Sequence, residues 1–97
     1  MKTVYAKVHG TVQGVGYRYL VKEIAAKHGI TGSVKNEDDG SVSIIATGDD
    51  KDIEDFFKDI RVDYEHGPSV FEIEFTNERP EHTTKERKEK KSFEIAR

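Results

Sequence analysis

The first part of the chain changes its hydrophobic period after residue 9. Residues 3–9 alternate between apolar and polar side chains, which is typical of a strand with one face buried. Residues 17–29 instead carry apolar side chains at helical spacing, namely Leu20, Val21, Ile24 and Ala25. This pattern predicts a strand followed by a helix, and Gly29 is the residue expected to end the helix.

The middle of the chain predicts a hairpin and a second helix. Residues 31–36 and 41–48 have the composition of strands, and the turn-forming sequence NEDDG, residues 36–40, lies between them. The apolar residues of the segment 49–63 recur at i, i+3, i+4 and i+7, namely Ile53, Phe56, Phe57 and Ile60. This spacing predicts an amphipathic helix, and the acidic residues at its start suit the helix dipole.

The C-terminal part predicts one more strand, a long loop and a short last strand. Residues 69–75 alternate again through Phe71, Ile73 and Phe75. Residues 76–91 contain no hydrophobic side chain and are expected to form a long, exposed, charged loop. Phe93 and Ile95 fit a short fifth strand near the end of the chain.

The order of elements predicts a single ferredoxin-like α+β domain over residues 1–97. The expected arrangement is β-α-β-β-α-β, with two helices on one face of an antiparallel sheet and a possible short fifth strand at the C-terminus. A chain of 97 residues suffices for one domain of this size and not for two. Many unrelated activities share this fold, so the fold alone does not predict the function.

Composition narrows the possible functions. The chain has no cysteine, which excludes disulfides, thiolate nucleophiles and cysteine-based zinc sites, and its four histidines lack metal-ligand spacing. We therefore expect neither a metal nor a cofactor. No apolar run approaches the length of a membrane span or a signal peptide, so we expect a cytoplasmic protein without a membrane partner. The net charge of -3 argues against nucleic acid, although the basic segment 85–91 leaves that alternative open.

The sequence GTVQGVGYR, residues 10–18, is the best candidate for a binding site. It has two interpretations: a simple turn, or a backbone cradle for an anion at the start of a helix. Arg18 would add a planar, permanently charged group that suits phosphate oxygens. Neither the nucleotide motif G-x-x-x-x-G-K-[ST] nor G-x-G-x-x-G is present, so a small phosphate group is the better hypothesis. We expect Tyr17 to be packed and Tyr19 to be partly exposed.

Two segments of this chain resemble the two signatures of the acylphosphatase family. The first signature is matched by Gly10, Val12, Gln13, Gly14, Val15, Tyr17 and Arg18. The second is matched in order and spacing by Gly32, Val34, Asn36, Gly40, Val42 and Gly48. The chain departs from the family at Ser33, where an aromatic residue is usual.

The resemblance implies a ferredoxin-like fold and metal-independent hydrolysis of the carboxyl–phosphate bond of acyl phosphates. It implies that Arg18 and Asn36 are the catalytic residues, with Arg18 on the phosphate and Asn36 on the attacking water. The substrate phosphate would be bound by a contiguous set, namely Gln13, Gly14, Val15, Gly16, Tyr17 and Arg18. Gln13 and Val15 are expected to contribute mainly backbone donors. We expect a monomer that acts on a small molecule.

Asn36 has a second interpretation, as a residue that caps the NEDDG turn. An amide suits the orientation of water because it is neutral, and it therefore does not repel a phosphate as a carboxylate would. The rival function is a non-catalytic anion-binding or regulatory module of the same fold. An RNA-recognition domain is disfavoured, since the segment SVSIIATG, residues 41–48, offers no aromatic residue for stacking.

Overall fold

The computed structural model describes residues 1–83 and 92–96. Its elements are β1 (Lys2–Thr11), α1 (Tyr17–Lys27), β2 (Thr31–Asn36), β3 (Val42–Gly48), α2 (Asp50–Asp59), β4 (Ser69–Thr76) and β5 (Phe93–Ile95). This order confirms the ferredoxin-like α+β fold and the short fifth strand. Neither helix in the described part of the chain is long and apolar enough to cross a membrane.

The five strands form one sheet in the order β4-β1-β3-β2-β5. The pairs β1–β3, β1–β4 and β2–β3 are antiparallel, as the sequence predicted. The fifth strand pairs with β2 in parallel, so the sheet is mixed and not wholly antiparallel. The two edge strands β4 and β5 run in opposite directions, and the chain has to cross the sheet between them.

The core lies between the sheet and the two helices. Alternate residues of the central strands face the helices and are fully buried, among them Val8, Val34 and Ile44. The helical stripes confirm the predicted spacing, because Val21 and Ala25 of α1 and all four apolar positions of the second helical segment are buried. Within residues 1–83 and 92–96 no helix covers the opposite face of the sheet, which we call the helix-free face.

The second helix is shorter than the segment 49–63 that the sequence assigned to it. It spans Asp50–Asp59, and Ile60, the last residue of the hydrophobic stripe, is its C-cap. The carbonyl of Val62 accepts a hydrogen bond from the N–H of Val70 at 2.7 Å, and Asp63 forms a β-bridge with Ser69. These residues therefore pair with the start of β4 instead of continuing the helix.

A bulge changes which side chains β4 directs to the core. The register between β1 and β4 shifts at His9 and Gly10. As a result Phe71 is 83% exposed, while Val70 packs against the core cluster. The simple alternation predicted for this strand is therefore wrong at its first half.

The segment between β4 and β5 is not wholly an exposed loop. Thr76 belongs to β4. Residues 77–83, which we call the strap, lie on the helix-free face, where they contact Tyr5, Lys35 and Ser43. Pro80 and His82 of the strap are half-buried. The rest of the predicted loop, including the basic segment 85–91, lies outside the described residues.

Candidate active site

The glycine loop, residues 12–16, connects β1 to α1. Gly14 and Gly16 have φ values of 76° and 77°, a left-handed conformation that strains other residues. A Cβ atom added at either position would meet no atom within 4 Å. Glycine is therefore required by the backbone conformation, and the space beside the loop is open.

The loop and the first turn of α1 leave main-chain donors available. Within residues 1–83 and 92–96, the N–H groups of residues 13–18 make no hydrogen bond. Gly16 supplies no side-chain cap, and the first turn of α1 contains no acidic residue. These donors and the positive end of the helix dipole together favour an anion at this position.

Arg18 brings a full positive charge to the same turn. It is half-buried, and no carboxylate of the described residues forms an ion pair with it. The two flanking tyrosines differ as predicted: Tyr17 is buried, while Tyr19 is 64% exposed. The Tyr17 hydroxyl donates to the carbonyl of Ile60 at 2.8 Å, and burial raises the pKa of Tyr17. Tyr17 thus anchors the start of α1 to the end of α2.

Asn36 and the glycine loop lie at the same end of the sheet, where β2 and β1 finish. It ends β2 and pairs with Val42, which in turn pairs with Val8 of β1. Because β1 and β2 run in the same direction on either side of β3, their C-terminal ends lie at the same end of the sheet. By strand alternation, Asn36 shares the helix-covered face with Val34.

The side-chain oxygen of Asn36 is unusual because it is buried without a hydrogen-bond partner in the described part of the chain. Its Oδ1 is buried and accepts no hydrogen bond from any described residue. Buried side-chain oxygens are normally bonded, so such an atom calls for an explanation. The turn is closed by Asp39 instead, which accepts from the main-chain N–H and the hydroxyl of Ser41 at 3.0 and 2.6 Å.

Gln13 joins the glycine loop to the turn after Asn36. Its Nε2 donates to the carbonyls of Glu37 and Ser41 at 2.7 and 2.8 Å. The sequence suggested mainly a backbone role for Gln13, and this side-chain role was missed. Val15, the other loop residue in that expectation, packs its side chain against the core. The loop and the Asn36 turn are therefore one connected unit.

An ion pair also stabilises the turn from the helix-free face. Lys7 of β1 lies 2.7 Å from Asp39, the residue that closes the turn. The hydrogen bond from Lys7 and those from Ser41 hold the pKa of Asp39 well below its ordinary value. The acidic turn NEDDG is thus stabilised by a cation of this chain.

His9 and His28 each have an acidic partner away from the glycine loop. His9 lies 3.1 Å from Glu74 across the β1–β4 pair, and His28 lies 2.7 Å from Asp59 between the two helices. Among the described residues, no three histidine, aspartate or glutamate side chains converge as metal ligands would. None of these groups contacts the glycine loop.

Comparison with known proteins decides the family. A family model described as acylphosphatase matches residues 4–95, which is nearly the whole chain. The chain belongs to the acylphosphatase family. An acylphosphatase of Lactobacillus johnsonii is 56% identical over 70 residues, which are 72% of each chain. The crystal structure of acylphosphatase from Bacillus subtilis matches 98% of both chains with a TM-score of 0.77 and 32% identity. The protein is therefore an enzyme of the acylphosphatase kind.

The same domain also occurs within a larger protein. The crystal structure of T. kodakarensis HypF matches 98% of this chain with a TM-score of 0.74 and 30% identity, but the match covers only 12% of HypF. The acylphosphatase fold is therefore found both in chains of about this length and as a small part of a longer one.

Proposed function

We propose that this acylphosphatase hydrolyses acyl phosphates with the glycine loop and Arg18 as the phosphate site and Asn36 as the residue that orients water. The observation that carries the proposal is that free main-chain donors and the unpartnered Oδ1 of Asn36 occur at the same end of the sheet. Gln13 connects the two parts through the Glu37 and Ser41 carbonyls. No described residue satisfies Oδ1, so this acceptor is left for a group from outside the protein chain, such as water.

The phosphoryl group is held by charge and by backbone donors in this mechanism. The N–H groups of residues 13–18 and the Arg18 guanidinium stabilise the negative charge on the phosphoryl oxygens. Oδ1 of Asn36 accepts a hydrogen bond from water and so directs a lone pair of the water oxygen toward phosphorus. The bond between phosphorus and the acyl oxygen breaks as the new bond to the water oxygen forms. The carboxylate leaves with the electron pair, and dihydrogen phosphate is the second product.

The chemistry makes few demands beyond positioning and electrostatics. A carboxylate is a good leaving group, and phosphoryl transfer depends mostly on in-line placement and charge stabilisation. A neutral amide orients water without repelling the phosphoryl group, which a carboxylate base would do. That the enzyme works as a monomer in the cytoplasm stays a prediction from the sequence.

The test is hydrolysis of benzoyl phosphate by Arg18→Ala and Asn36→Ala. Loss of Arg18 is expected to lower kcat/KM by a factor of more than ~10², and loss of Asn36 to lower kcat more than it raises KM. The matched controls are Arg79→Ala and Asn77→Ala, which remove the same residue types from the strap. A loss of only a few-fold in Arg18→Ala would refute the role of Arg18. Phosphate binding without turnover by the wild type would favour the non-catalytic anion-binding module.

A further inference from the structure

The strap begins the connection between β4 and β5, which lie at opposite edges of the sheet. It lies on the helix-free face. It makes three kinds of contact with that face. The Arg79 guanidinium lies 5.8 Å from the centre of the Tyr5 ring, and Lys35 Nζ donates to the carbonyl of Glu81 at 2.9 Å. The third contact, made by His82, involves buried polar groups of two strands.

His82 is bonded through both ring nitrogens. Its Nδ1 lies 2.6 Å from Ser33 Oγ on β2, and its Nε2 lies 2.7 Å from Ser43 Oγ on β3. Both serines are almost completely buried. A buried hydroxyl without a partner is costly, and His82 is a partner for the Ser33 hydroxyl and a second partner for the Ser43 hydroxyl.

The direction of these bonds follows from the fourth member of the network. The Ser43 hydroxyl donates to the Glu37 carboxylate, and an ionised carboxylate can only accept. The Ser43 oxygen must then accept from the Nε2–H of His82. In the neutral tautomer that carries its hydrogen on Nε2, Nδ1 would accept from the Ser33 hydroxyl. The four side chains form one chain of hydrogen bonds, which runs from Ser33 through His82 and Ser43 to Glu37.

Glu37 is the point where this network meets the candidate active site. It follows Asn36 directly, and its main-chain carbonyl accepts from Gln13 of the glycine loop at 2.7 Å. Its carboxylate accepts from Ser43 and its main-chain N–H donates to the Ser41 carbonyl at 2.8 Å. Glu37 is therefore held by Gln13 through its backbone and by Ser43 through its side chain, and Ser43 in turn contacts His82 of the strap.

We propose that His82 is a positioning residue for Asn36, which acts from the helix-free face through Ser43 and Glu37. The proposal rests on the proposed function of Asn36. It predicts that the strap contributes to turnover although it lies on the other side of the sheet from the phosphate site. The loss of His82 should leave phosphate affinity unchanged, because the network reaches the glycine loop only through the Gln13 side chain and not through the main-chain donors or Arg18.

The experiment measures kcat and KM for benzoyl phosphate, together with the dissociation constant of inorganic phosphate. For His82→Ala we expect kcat to fall roughly tenfold, since small misplacements of an orienting group are costly, while KM and the phosphate constant stay within about twofold. Ser43→Ala should have a similar effect. The double variant should be no worse than either single variant, because both changes break the same connection.

Two controls separate this role from general loosening of the strap. Arg79→Ala removes a strap contact outside the network, and His66→Ala removes an exposed histidine. Both should retain wild-type kcat. An equal loss in Arg79→Ala, additive losses in the double variant, or an unchanged kcat in His82→Ala would each overturn the proposal. If His82→Ala does not fold, His82→Gln, which keeps one hydrogen bond, is expected to fold with an intermediate kcat, and wild-type kcat in it would also count against the proposal.

A readout without turnover distinguishes this proposal from the proposed function. In NMR spectra of the folded proteins, the side-chain amide of Asn36 and the main-chain amide of Glu37 should shift in His82→Ala and not in Arg79→Ala. If Asn36→Ala hydrolyses benzoyl phosphate normally, the function proposed for Asn36 fails while these shifts still report the connection. If the Asn36 and Glu37 signals do not move, the connection fails whatever the activity is.

Discussion

Two polar residues of β2, Ser33 and Asn36, differ in how the fold satisfies them. Ser33 lies on the helix-free face, is completely buried and is hydrogen-bonded to His82. Asn36, three residues later on the other face, keeps a buried oxygen that no described residue satisfies. Burial of polar groups normally requires partners, so Ser33 follows the rule of a stable interior and Asn36 departs from it.

The same contrast extends to the charges around the two sites. On the helix-free face Lys7 pairs with Asp39, and Lys35 donates to the strap. At the glycine loop the charge of Arg18 has no carboxylate partner among the described residues, and the main-chain donors nearby are free. We interpret the paired region as the part that stabilises the fold and the unpaired region as the part that meets the substrate.

The largest effect that tests this contrast is expected from Gly16→Ala, compared with Gly29→Ala. Both glycines have left-handed φ values, 77° and 69°, and open space where a Cβ would be added. Each substitution should therefore cost about 1–2 kcal/mol of strain in the free energy of unfolding. Only Gly16→Ala should also lower kcat/KM, by roughly tenfold, because the loop donors move.

Urea unfolding and benzoyl phosphate hydrolysis of both variants measure the two effects separately. Equal activity in Gly16→Ala and Gly29→Ala would mean that the loop backbone does not bind the substrate. An activity loss confined to Gly16→Ala would support the separation between the stabilising and the substrate-binding parts.

An effect on stability alone, without the loss of activity expected for Gly16→Ala, is expected from Tyr17→Phe. Tyr17 belongs to the glycine-loop region by position, but its hydroxyl is turned to the core and donates to the buried carbonyl of Ile60. Removing the hydroxyl leaves that carbonyl without this donor and should lower the free energy of unfolding by about 1–3 kcal/mol. Turnover of the folded variant should stay within about twofold of wild type.

The control for this prediction is Tyr19→Phe, because Tyr19 is 64% exposed in the same helical turn. Its free energy of unfolding should not change measurably. If Tyr17→Phe unfolds like the wild type but loses activity, the Tyr17 hydroxyl belongs to the substrate-binding part and the division drawn here is wrong.

Local patterns predicted most of the fold and the position of the glycine loop. The helix stripes were readable because packing against a sheet requires apolar residues on one side of each helix. The phosphate-site hypothesis was readable because its residues are contiguous, from Gln13 to Arg18. The exposed position of Phe71 was not readable, since it depends on a bulge in the pairing with β1.

The long-range side-chain contacts could not be predicted from periodicity. Gln13 bonds to Glu37 across 24 positions, and Ser33 bonds to His82 across 49. Ser33 was noted only as a departure from the usual aromatic residue, and its partner lay in a segment expected to be an exposed loop. Such pairs depend on which strands become neighbours, and a single sequence carries no direct signal for that.

The smallest effect is expected from Asp39→Asn, and it should depend on pH. The folded-state pKa of Asp39 is held below its ordinary value by the hydrogen bond from Lys7 and those from Ser41. The ionised carboxylate therefore contributes stability above its unfolded-state pKa, near pH 4, and this contribution is lost as the pH falls through the lower folded-state pKa. The difference in free energy of unfolding between wild type and Asp39→Asn should be constant near neutrality and should shrink in acid.

Urea unfolding at a series of pH values measures this difference, with Asp38→Asn, a change at an exposed neighbouring residue, as the control. A difference that is the same in acid and at neutral pH would show that the Lys7–Asp39 pair does not stabilise the turn.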